Sequence, residues 1–271
     1  MTGDGPPPDE TPSAIVELVK VSKSFESVEV LHEVDLRFPE GRTTVVLGPS
    51  GAGKSVVLKH IAGLIRPDSG QVLFRGKRID QLSEHHLVPI RREMGFLFQQ
   101  SALFDSMTVL ENLEFPLIEH TRLSARERRK RAIEALETVD LHDVESKAPA
   151  QLSGGQQKRV ALARAIILKP AMILYDEPTT GLDPVRADGI NELINKLRRM
   201  TGVTGIVVTH DLACMRKVAD RVVMLYDGAI RFEGSPQEIE SAQDPLVKRF
   251  IEVAAEHEHM RRLANQSGGR P

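Results

Sequence analysis

The sequence predicts an α/β fold with a mainly parallel central sheet, an antiparallel β subdomain and an inserted α-helical subdomain. Three short apolar runs rich in β-branched residues, Thr43–Leu47, Met172–Tyr175 and Gly205–Thr209, are typical of strands buried on both faces of a parallel sheet. From about residue 101 to 168 the chain is more polar and has helical periodicity. Parallel-type strands on either side of a helical insert predict an α/β core with a helical lobe.

Strand patterns also occur outside these runs. Residues Ile15 to Phe38 have a strand-like pattern in which apolar side chains alternate with charged ones, which predicts one buried and one solvated strand face. Further strands are predicted at Gln71–Phe74, Arg221–Tyr226 and Ala229–Phe232. A helix is predicted at Lys54–Leu64, directly after the first parallel-type strand and a glycine-rich loop.

We expect three regions along the 271 residues. Residues 1–13 are rich in proline, glycine and acidic residues and contain no apolar segment, so we expect a disordered tail and not a signal peptide. Residues 14–244 form the predicted domain, with its helical subdomain at about 100–168. Residues 245–271 are predicted to form a helical extension that ends in a frayed tail.

The composition is that of an ordinary globular chain, with 41% hydrophobic and 27% charged residues and a net charge of −2. So small a net charge gives no general attraction to nucleic acid or anionic lipid, and we expect no nucleic-acid partner. No stretch approaches the ~18 apolar residues of a spanning helix, so work at a membrane would require a partner protein. The single cysteine, Cys214, fits a reducing compartment.

The glycine-rich loop after Thr43–Leu47 matches the phosphate-binding pattern G-x-x-x-x-G-K-[ST]. Glycines let successive backbone N–H groups point at phosphate oxygens, and the helix N-terminus adds positive potential. The lysine of this pattern can reach the β- and γ-phosphates of ATP, and the hydroxyl that follows can ligate Mg²⁺. The predicted nucleotide-binding residues are Gly48, Pro49, Ser50, Gly51, Ala52, Gly53, Lys54 and Ser55.

Two carboxylates, Asp176 and Glu177, follow the apolar run Met172–Tyr175. A strand this hydrophobic belongs in the centre of the sheet, so its carboxyl end brings both acids to the ligand edge. There, one carboxylate can help to hold Mg²⁺ while the other orients and deprotonates the attacking water. We predict metal binding for Asp176 and general-base catalysis for Glu177. The alternative is a pair that is merely solvated at the end of a core strand.

The string Leu152–Gln156, Leu-Ser-Gly-Gly-Gln, resembles the signature motif of ABC transporter ATPases, and Gln157–Ala165 continues the resemblance. Its serine is a candidate helix N-cap, and its glycines would expose backbone N–H groups to an anion. The resemblance implies a P-loop NTPase fold with a RecA-like core. It also implies a homodimer in which each ATP lies between the phosphate loop of one copy and the signature of the other, formed by Ser153, Gly154, Gly155 and Gln156.

Four further positions match motifs of this family. Gln99 matches the Q-loop glutamine, which contacts Mg²⁺ and signals to the membrane partner, and His210 matches the switch histidine, which contacts the γ-phosphate. Asp183 matches the D-loop, which crosses the dimer interface. Phe25 takes the place of the A-loop aromatic that stacks on adenine; tyrosine is commoner there, and phenylalanine keeps the π-face but loses the hydroxyl. The resemblance implies that Gln99, Glu177 and His210 are catalytic and that Ser55, Gln99 and Asp176 bind the metal.

Outside these motifs, Gln99–Leu113, Phe115–Leu117 and Glu119–Thr121 resemble the ATPases of Mla/Mce-type phospholipid transporters. This likeness implies an integral membrane permease, Mce-type lipid-binding proteins reached through the permease, and a place on the cytoplasmic face of the bacterial inner membrane. The alternatives are the cassette of an ABC importer for amino acids or ions, or a non-transport ABC ATPase.

Residues 98–113 are too apolar for a free loop, with side chains such as Leu103, Phe104 and Val109. In ABC cassettes the corresponding region forms the groove that receives the permease. The alternative is that these side chains pack inside the helical lobe. Both interpretations follow equally well from the sequence.

Overall fold

Two β-sheets and a helical lobe make up the described part of the protein. The computed structural model describes the backbone of residues 13–267 and the side chains of residues 13–256. Residues 1–12 of the predicted tail and the final residues 268–271 lie outside the described residues. Among the helices that are described, none is both long enough and apolar enough to cross a membrane.

The first sheet is antiparallel, and its strand order is β2-β1-β4-β5. The alternating pattern of residues 15–38 is divided between two paired strands, β1 and β2, because a turn at Glu26-Ser27 reverses the chain. The four strands are β1 (Ala14–Phe25), β2 (Val28–Pro39), β4 (Ser69–Phe74) and β5 (Lys77–Arg78).

The second sheet is mainly parallel, and its strand order is β10-β9-β3-β8-β7-β6. The strand β10 pairs antiparallel with β9, and the other neighbours pair in parallel. The six strands are β3 (Thr43–Leu47), β6 (Met94–Leu97), β7 (Met172–Asp176), β8 (Thr204–Thr209), β9 (Arg221–Tyr226) and β10 (Ala229–Gly234).

Helices fill the connections between the parallel strands, as parallel pairing requires. Three of them, α3 to α5, lie between β6 and β7 and form the helical lobe. The helices are α1 (Lys54–Ile61), α2 (Glu84–Arg91), α3 (Val109–His120), α4 (Ala125–Thr138), α5 (Gly154–Ile166), α6 (Pro184–Thr201), α7 (Leu212–Val218), α8 (Pro236–Glu240) and α9 (Pro245–Ser267), with a 3₁₀ turn at Pro149–Gln151.

The predicted fold class is confirmed: a mainly parallel sheet is combined with an antiparallel sheet and an inserted helical lobe. The structure adds elements that the sequence pattern did not indicate, among them α2, β6 and α6. The strand β6 has only four residues, too few for a periodic pattern to be distinctive. The bounds predicted for the three regions of the chain remain a prediction.

The central sheet is buried on both faces, and consecutive side chains enter different cores. Val45 and Leu47 of β3 belong to the core that includes the helical lobe, whereas Val46 belongs to the core that includes α1 and the antiparallel sheet. In β7, Tyr175 belongs to the first of these cores and Leu174 to the second. This burial on both sides explains why the parallel strands are continuous apolar runs.

Each helix of the lobe begins with a side-chain cap. Thr108, Ser124 and Ser153 each accept a hydrogen bond from the backbone N–H three residues later, and the acidic or amide side chain at that position reaches back to the cap. Such reciprocal capping boxes satisfy backbone donors that a helix start leaves free. The sequence therefore fixes where α3, α4 and α5 begin.

One titratable side chain, His60 of α1, lies in the core at 1% exposure. Its Nδ1 contacts the carbonyl oxygen of Val56 at 2.8 Å, and its buried Nε2 has no hydrogen-bond partner among the described residues. Burial has the largest effect and lowers the pKa of His60, as does the charge of Lys23. The hydrogen bond to Val56 and the charges of Asp68 and Asp80 raise this pKa but do not outweigh burial. The imidazole is therefore held neutral in the folded protein.

We expect His60 to make the folded state less stable as the pH falls below about 6.5, because the unfolded chain then binds a proton that the folded chain resists. The free energy of unfolding should fall by up to ~1.4 kcal/mol per pH unit from this group. Urea unfolding of the wild type and of His60→Leu between pH 7.5 and 5.5 measures the difference. The exposed His86 supplies the control variant His86→Gln; equal pH dependence in all three proteins would contradict the expectation.

Candidate functional site

The strands β3, β8, β7 and β6 lie side by side and run in parallel, so their carboxyl ends meet at one edge of the sheet. In register, Leu47 lies opposite Thr209, and Asp176 lies opposite Val208. From these ends the chain continues into the glycine loop, the histidine, the acid pair and the predicted Q-loop glutamine. Sheet topology thus places residues that are distant in sequence at one edge.

Glycine is required at two positions of the phosphate loop. Gly48 is so closely packed that a Cβ atom there would lie 2.2 Å from the carbonyl oxygen of Leu225. Gly53, at the N-cap of α1, has a φ of 98°, and its Cβ would lie 2.9 Å from the carbonyl oxygen of Val30 and 2.8 Å from the side chain of Leu31. Both space and backbone conformation therefore select glycine.

The lysine of the loop, Lys54, is buried at the start of α1. Its Nζ donates to the carbonyl oxygens of Gly48 (2.8 Å) and Pro49 (2.9 Å) and lies 3.8 Å from Oε1 of Glu177. Burial lowers the pKa of Lys54, and the neighbouring acids oppose this effect. The amine therefore joins the glycine loop to the acid pair.

The hydroxyl of Ser55 donates to Oδ1 of Asp176 at 3.1 Å, across 121 residues of sequence. Burial raises the pKa of Asp176, while the Ser55 hydrogen bond and the charge of Lys54 act in the opposite direction. Hydroxyl and carboxylate oxygens are the donors that a hard divalent cation prefers, and Mg²⁺ keeps additional water or phosphate ligands. The two side chains thus lie together, as a shared metal site would require.

Glu177 is held by three hydrogen-bond partners. Its Oε1 contacts Nδ1 of His210 at 3.0 Å, and its Oε2 accepts hydrogen bonds from the hydroxyls of Thr209 (3.1 Å) and Thr180 (3.2 Å). Burial raises the pKa of Glu177, but His210, Lys54 and Thr209 together outweigh burial, so the pKa lies below its usual value. In turn, the hydrogen bond to Glu177 raises the pKa of His210.

A cavity of about 320 Å³ lies in front of these groups. Gln99, which follows β6 in the chain, is one of the residues that line this cavity, and the sequence predicted it for this site. Its size and its combination of backbone donors, one amine and two acid–base side chains suit a phosphate-bearing ligand. The lining residues are Val30, Ser50, Gly51, Gly53, Lys54, Ser55, Val56, Gln99, Glu177 and His210.

Two cations on α5, Lys158 and Arg164, hold the segment after β6. Lys158 is 4% exposed, and burial lowers its pKa to about 8. No local sequence pattern marks either side chain for this role, because their contacts lie about 60 residues away in the chain. Lys158 donates to the carbonyl oxygens of Phe98 (3.2 Å) and Gln99 (2.5 Å). Arg164 donates to those of Ser101 (3.2 Å) and Ala102 (2.7 Å).

The predicted signature residues do not line the cavity that the described residues form. Ser153 caps α5 and exchanges hydrogen bonds with Gln156; Ser153 and Gly154 are exposed to solvent, whereas Gly155 is buried. The predicted D-loop residue Asp183 caps α6, and Arg186 of α6 lies where a Cβ on Gly155 would contact it at 3.3 Å. The signature and the D-loop are therefore neighbours on one surface.

The predicted adenine-stacking residue, Phe25, is 45% exposed and also lies outside this lining. The ammonium of Lys23 lies 5.5 Å from the centre of its ring and forms an ion pair with Asp68 at 2.6 Å. The ring is therefore available to a planar ligand from the solvent side.

A family model described as "ABC transporter" matches residues 31–180, more than half of the chain. This chain belongs to the ABC transporter family. It is an ATP-binding cassette and an ATPase. The match includes the glycine loop, the signature and the acid pair.

Curated relatives of the cassette extend over most of its length. It is 37% identical over 248 residues to the intermembrane phospholipid transport system ATP-binding protein MlaF of Escherichia coli, covering 92% of each chain. It is 40% identical over 236 residues to the probable ribonucleotide transport ATP-binding protein mkl of Mycobacterium leprae, covering 87% of this chain and 68% of that protein. With the chloroplastic TRIGALACTOSYLDIACYLGLYCEROL 3 of Arabidopsis thaliana it shares 37% identity, covering 87% of this chain and 73% of that protein.

Solved cassettes have the same fold. The ATP-binding cassette MJ0796, in a dimer bound to ADP and Pi, superposes with a TM-score of 0.76 at 40% identity, covering 82% of this chain and 98% of that chain. The cassette cbiO1 of Clostridium perfringens, part of the transporter complex cbiONQ, gives a TM-score of 0.78 at 27% identity, covering 93% and 99%.

We expect Gly53→Ala to weaken ATP binding by the cassette at least tenfold, because the added methyl strains a left-handed residue and collides with the backbone of β2. A titration with a fluorescent ATP analogue measures this. Gly76→Ala is the matched control, since Gly76 has a φ of 73° but a Cβ placed there would have no atom within 4 Å. Equal affinities of the two variants would contradict the argument.

Proposed function

We propose that this chain is the ATP-hydrolysing motor of a lipid transporter, working as a pair of copies bound to a membrane permease. The observation that carries the catalytic part is the convergence of Lys54, Ser55, Asp176 and Glu177 at one sheet edge, with contacts of 3.1 Å between Ser55 and Asp176 and 3.8 Å between Lys54 and Glu177. This is the set of groups that phosphoryl transfer from ATP to water requires.

In this proposal the backbone of residues 48–55 cradles the phosphates and Lys54 binds the β- and γ-phosphates. Glu177 accepts the proton of the attacking water, and His210 contacts the γ-phosphate. Holding these groups in a buried, fixed arrangement lowers the cost of reorganisation during the reaction.

Ser55, Asp176 and Gln99 are the proposed protein contacts of Mg²⁺. They supply oxygen donors, and Ser55 and Asp176 are already within hydrogen-bond distance of each other. Among the described residues, no group of three or more His, Cys, Asp or Glu side chains could hold a metal by itself. Mg²⁺ would therefore arrive with the nucleotide, whose phosphate charge it neutralises.

A second copy of the chain is proposed because the signature lies outside the cavity of its own chain. The start of α5 exposes Ser153 and Gly154 to solvent, and a helix start of this kind is suited to anions. Asp183 and Arg186 lie beside it. The dimeric arrangement of the solved cassette MJ0796 supports pairing through this surface.

The proposed permease site is an aromatic groove of about 560 Å³ between α2, β6 and the helical lobe. Phe98, Phe104 and Phe115 are each more than a third exposed within it. Phe96 stacks on Phe98 at 4.1 Å, and Phe104 packs edge-on against Phe115 at 5.1 Å. The segment 98–113 thus combines both sequence interpretations, since Val109 packs inside the lobe while the phenylalanines face the groove.

Lipid is the proposed cargo because relatives that match 87–92% of this chain include one named for phospholipid transport. The name of the mycobacterial relative favours ribonucleotide transport as a second candidate. In either case we place the chain at the cytoplasmic face of the inner membrane, with Mce-type proteins reached through the permease in the lipid case. Purification of the chain from membranes, followed by identification of the bound membrane protein and lipid or nucleotide, distinguishes the two.

We expect Glu177→Gln to bind ATP normally but to hydrolyse it ~10²–10⁴ times more slowly, because it loses the general base. ATP should then trap a dimer that size exclusion detects. Lys54→Ala should instead lose nucleotide binding and stay monomeric under the same conditions. A Glu177→Gln monomer with wild-type turnover would exclude the assigned role.

We expect Phe104→Ala to reduce co-purification of the permease in detergent several-fold, because hot-spot aromatic side chains dominate interface energies. ATP binding by the isolated chain should be unchanged, since Phe104 does not line the nucleotide cavity. Met200→Ala is the control, because Met200 is 61% exposed and lies outside the groove. Equal permease recovery with both variants would place the docking site elsewhere.

A further inference from the structure

The two carboxylate oxygens of Glu177 have partners that differ in their exposure to solvent. Oε1 contacts Nδ1 of His210, whose side chain is 39% exposed and lines the cavity. Oε2 accepts from the hydroxyls of Thr209 and Thr180. Thr209 is fully buried, ends β8 and does not line the cavity. The contact between His210 and Oε1 can be exchanged for one with a ligand, whereas the contact between Thr209 and Oε2 is fixed by the sheet.

The direction of the Thr209 hydrogen bond follows from its second contact. The backbone N–H of Asp211 donates to Oγ1 of Thr209 at 3.0 Å. A hydroxyl has one proton, and an ionised carboxylate only accepts. The proton of Thr209 is therefore directed at Oε2 of Glu177, 3.1 Å away, and the charge-assisted bond restricts rotation of the carboxylate.

The backbone of Glu177 makes such support necessary. Its φ of 46° lies in the left-handed region, which a residue with a side chain rarely adopts, and its N–H donates to the carbonyl oxygen of Val208 at 2.9 Å. Tertiary contacts with β8, and not local preference, thus set where the carboxylate points. Val208 and Thr209 are consecutive residues of that strand and hold the backbone and the side chain of Glu177, respectively.

We propose that Thr209 is a positioning residue for hydrolysis: it holds Oε2 of Glu177 so that Oε1 faces the cavity and takes the proton of the attacking water. This rests on the proposed role of Glu177 as the base. His210 leaves Oε1 when it contacts the γ-phosphate. The water O–H bond breaks and its proton passes to Oε1, the new O–P bond forms, and the bond to the bridging oxygen breaks with its electron pair leaving on ADP.

The test compares kcat and KM for ATP in the full chain bound to its membrane partner. Thr209→Val should lower kcat roughly tenfold or more, since a hydrogen bond to a charged group is lost, while KM changes less than twofold. Thr209→Ser, which keeps the hydroxyl, should restore kcat to within about threefold of the wild type. Valine replaces the hydroxyl with a methyl, whereas serine keeps the hydroxyl and loses the methyl of threonine, so rescue by serine attributes the effect to the hydrogen bond and not to packing.

Thr204→Val is the matched control. Thr204 is also a buried threonine of β8, but its hydroxyl oxygen accepts a hydrogen bond from the backbone N–H of Gly41 at 2.9 Å, at the opposite end of the strand from Glu177. This variant should keep wild-type kcat. A Thr209→Val variant with wild-type kcat, or a loss that serine does not rescue, would overturn the proposal.

The Glu177→Gln variant distinguishes this inference from the proposed function. Full turnover by Glu177→Gln would show that Glu177 is not the general base and would contradict both proposals. An inactive Glu177→Gln protein beside a fully active Thr209→Val protein would overturn only the positioning role.

Discussion

Parallel pairing of β3, β8, β7 and β6 is the constraint on which the rest of the structure depends. Because these strands are neighbours and point in the same direction, the loops at their carboxyl ends share one edge. Burial of both sheet faces fixes their register, since a slip of one residue would exchange the side chains of the two cores. The 3.1 Å contact between Ser55 and Asp176 is a direct consequence of that register.

The same architecture keeps the signature outside the nucleotide cavity that the described residues form. The cavity contains the glycine loop, Gln99, Glu177 and His210, whereas the signature is presented on another surface at the start of α5. A helix start with free N–H groups and an exposed serine cap gains most when an anion binds there. In the proposed pair, the signature of each copy meets the nucleotide in the cavity of the other. This pairing would explain why one chain carries two helix starts suited to anions.

The helix α5 connects three parts of this arrangement. Its first residues are part of the signature, and its buried Lys158 donates to the carbonyl oxygens of Phe98 and Gln99. Its Arg164 donates to those of Ser101 and Ala102 and lies 5.6 Å from the centre of the Phe104 ring in the aromatic groove. The segment it holds includes Ser101 and Ala102, both with positive φ. One helix thus contacts both the backbone around Gln99, which lines the nucleotide cavity, and the aromatic groove.

The sequence by itself determined the fold class, the phosphate loop, the acid pair and the family, because each depends on local order: buried parallel strands are continuous apolar runs, and glycine spacing sets loop geometry. It also indicated which residues to expect at the site. Only the tertiary structure decided how Glu177 is held. Thr209 and Lys158 act through contacts across 32 and 60 residues that no local pattern encodes, and the left-handed backbone of Glu177 is held by a hydrogen bond to β8.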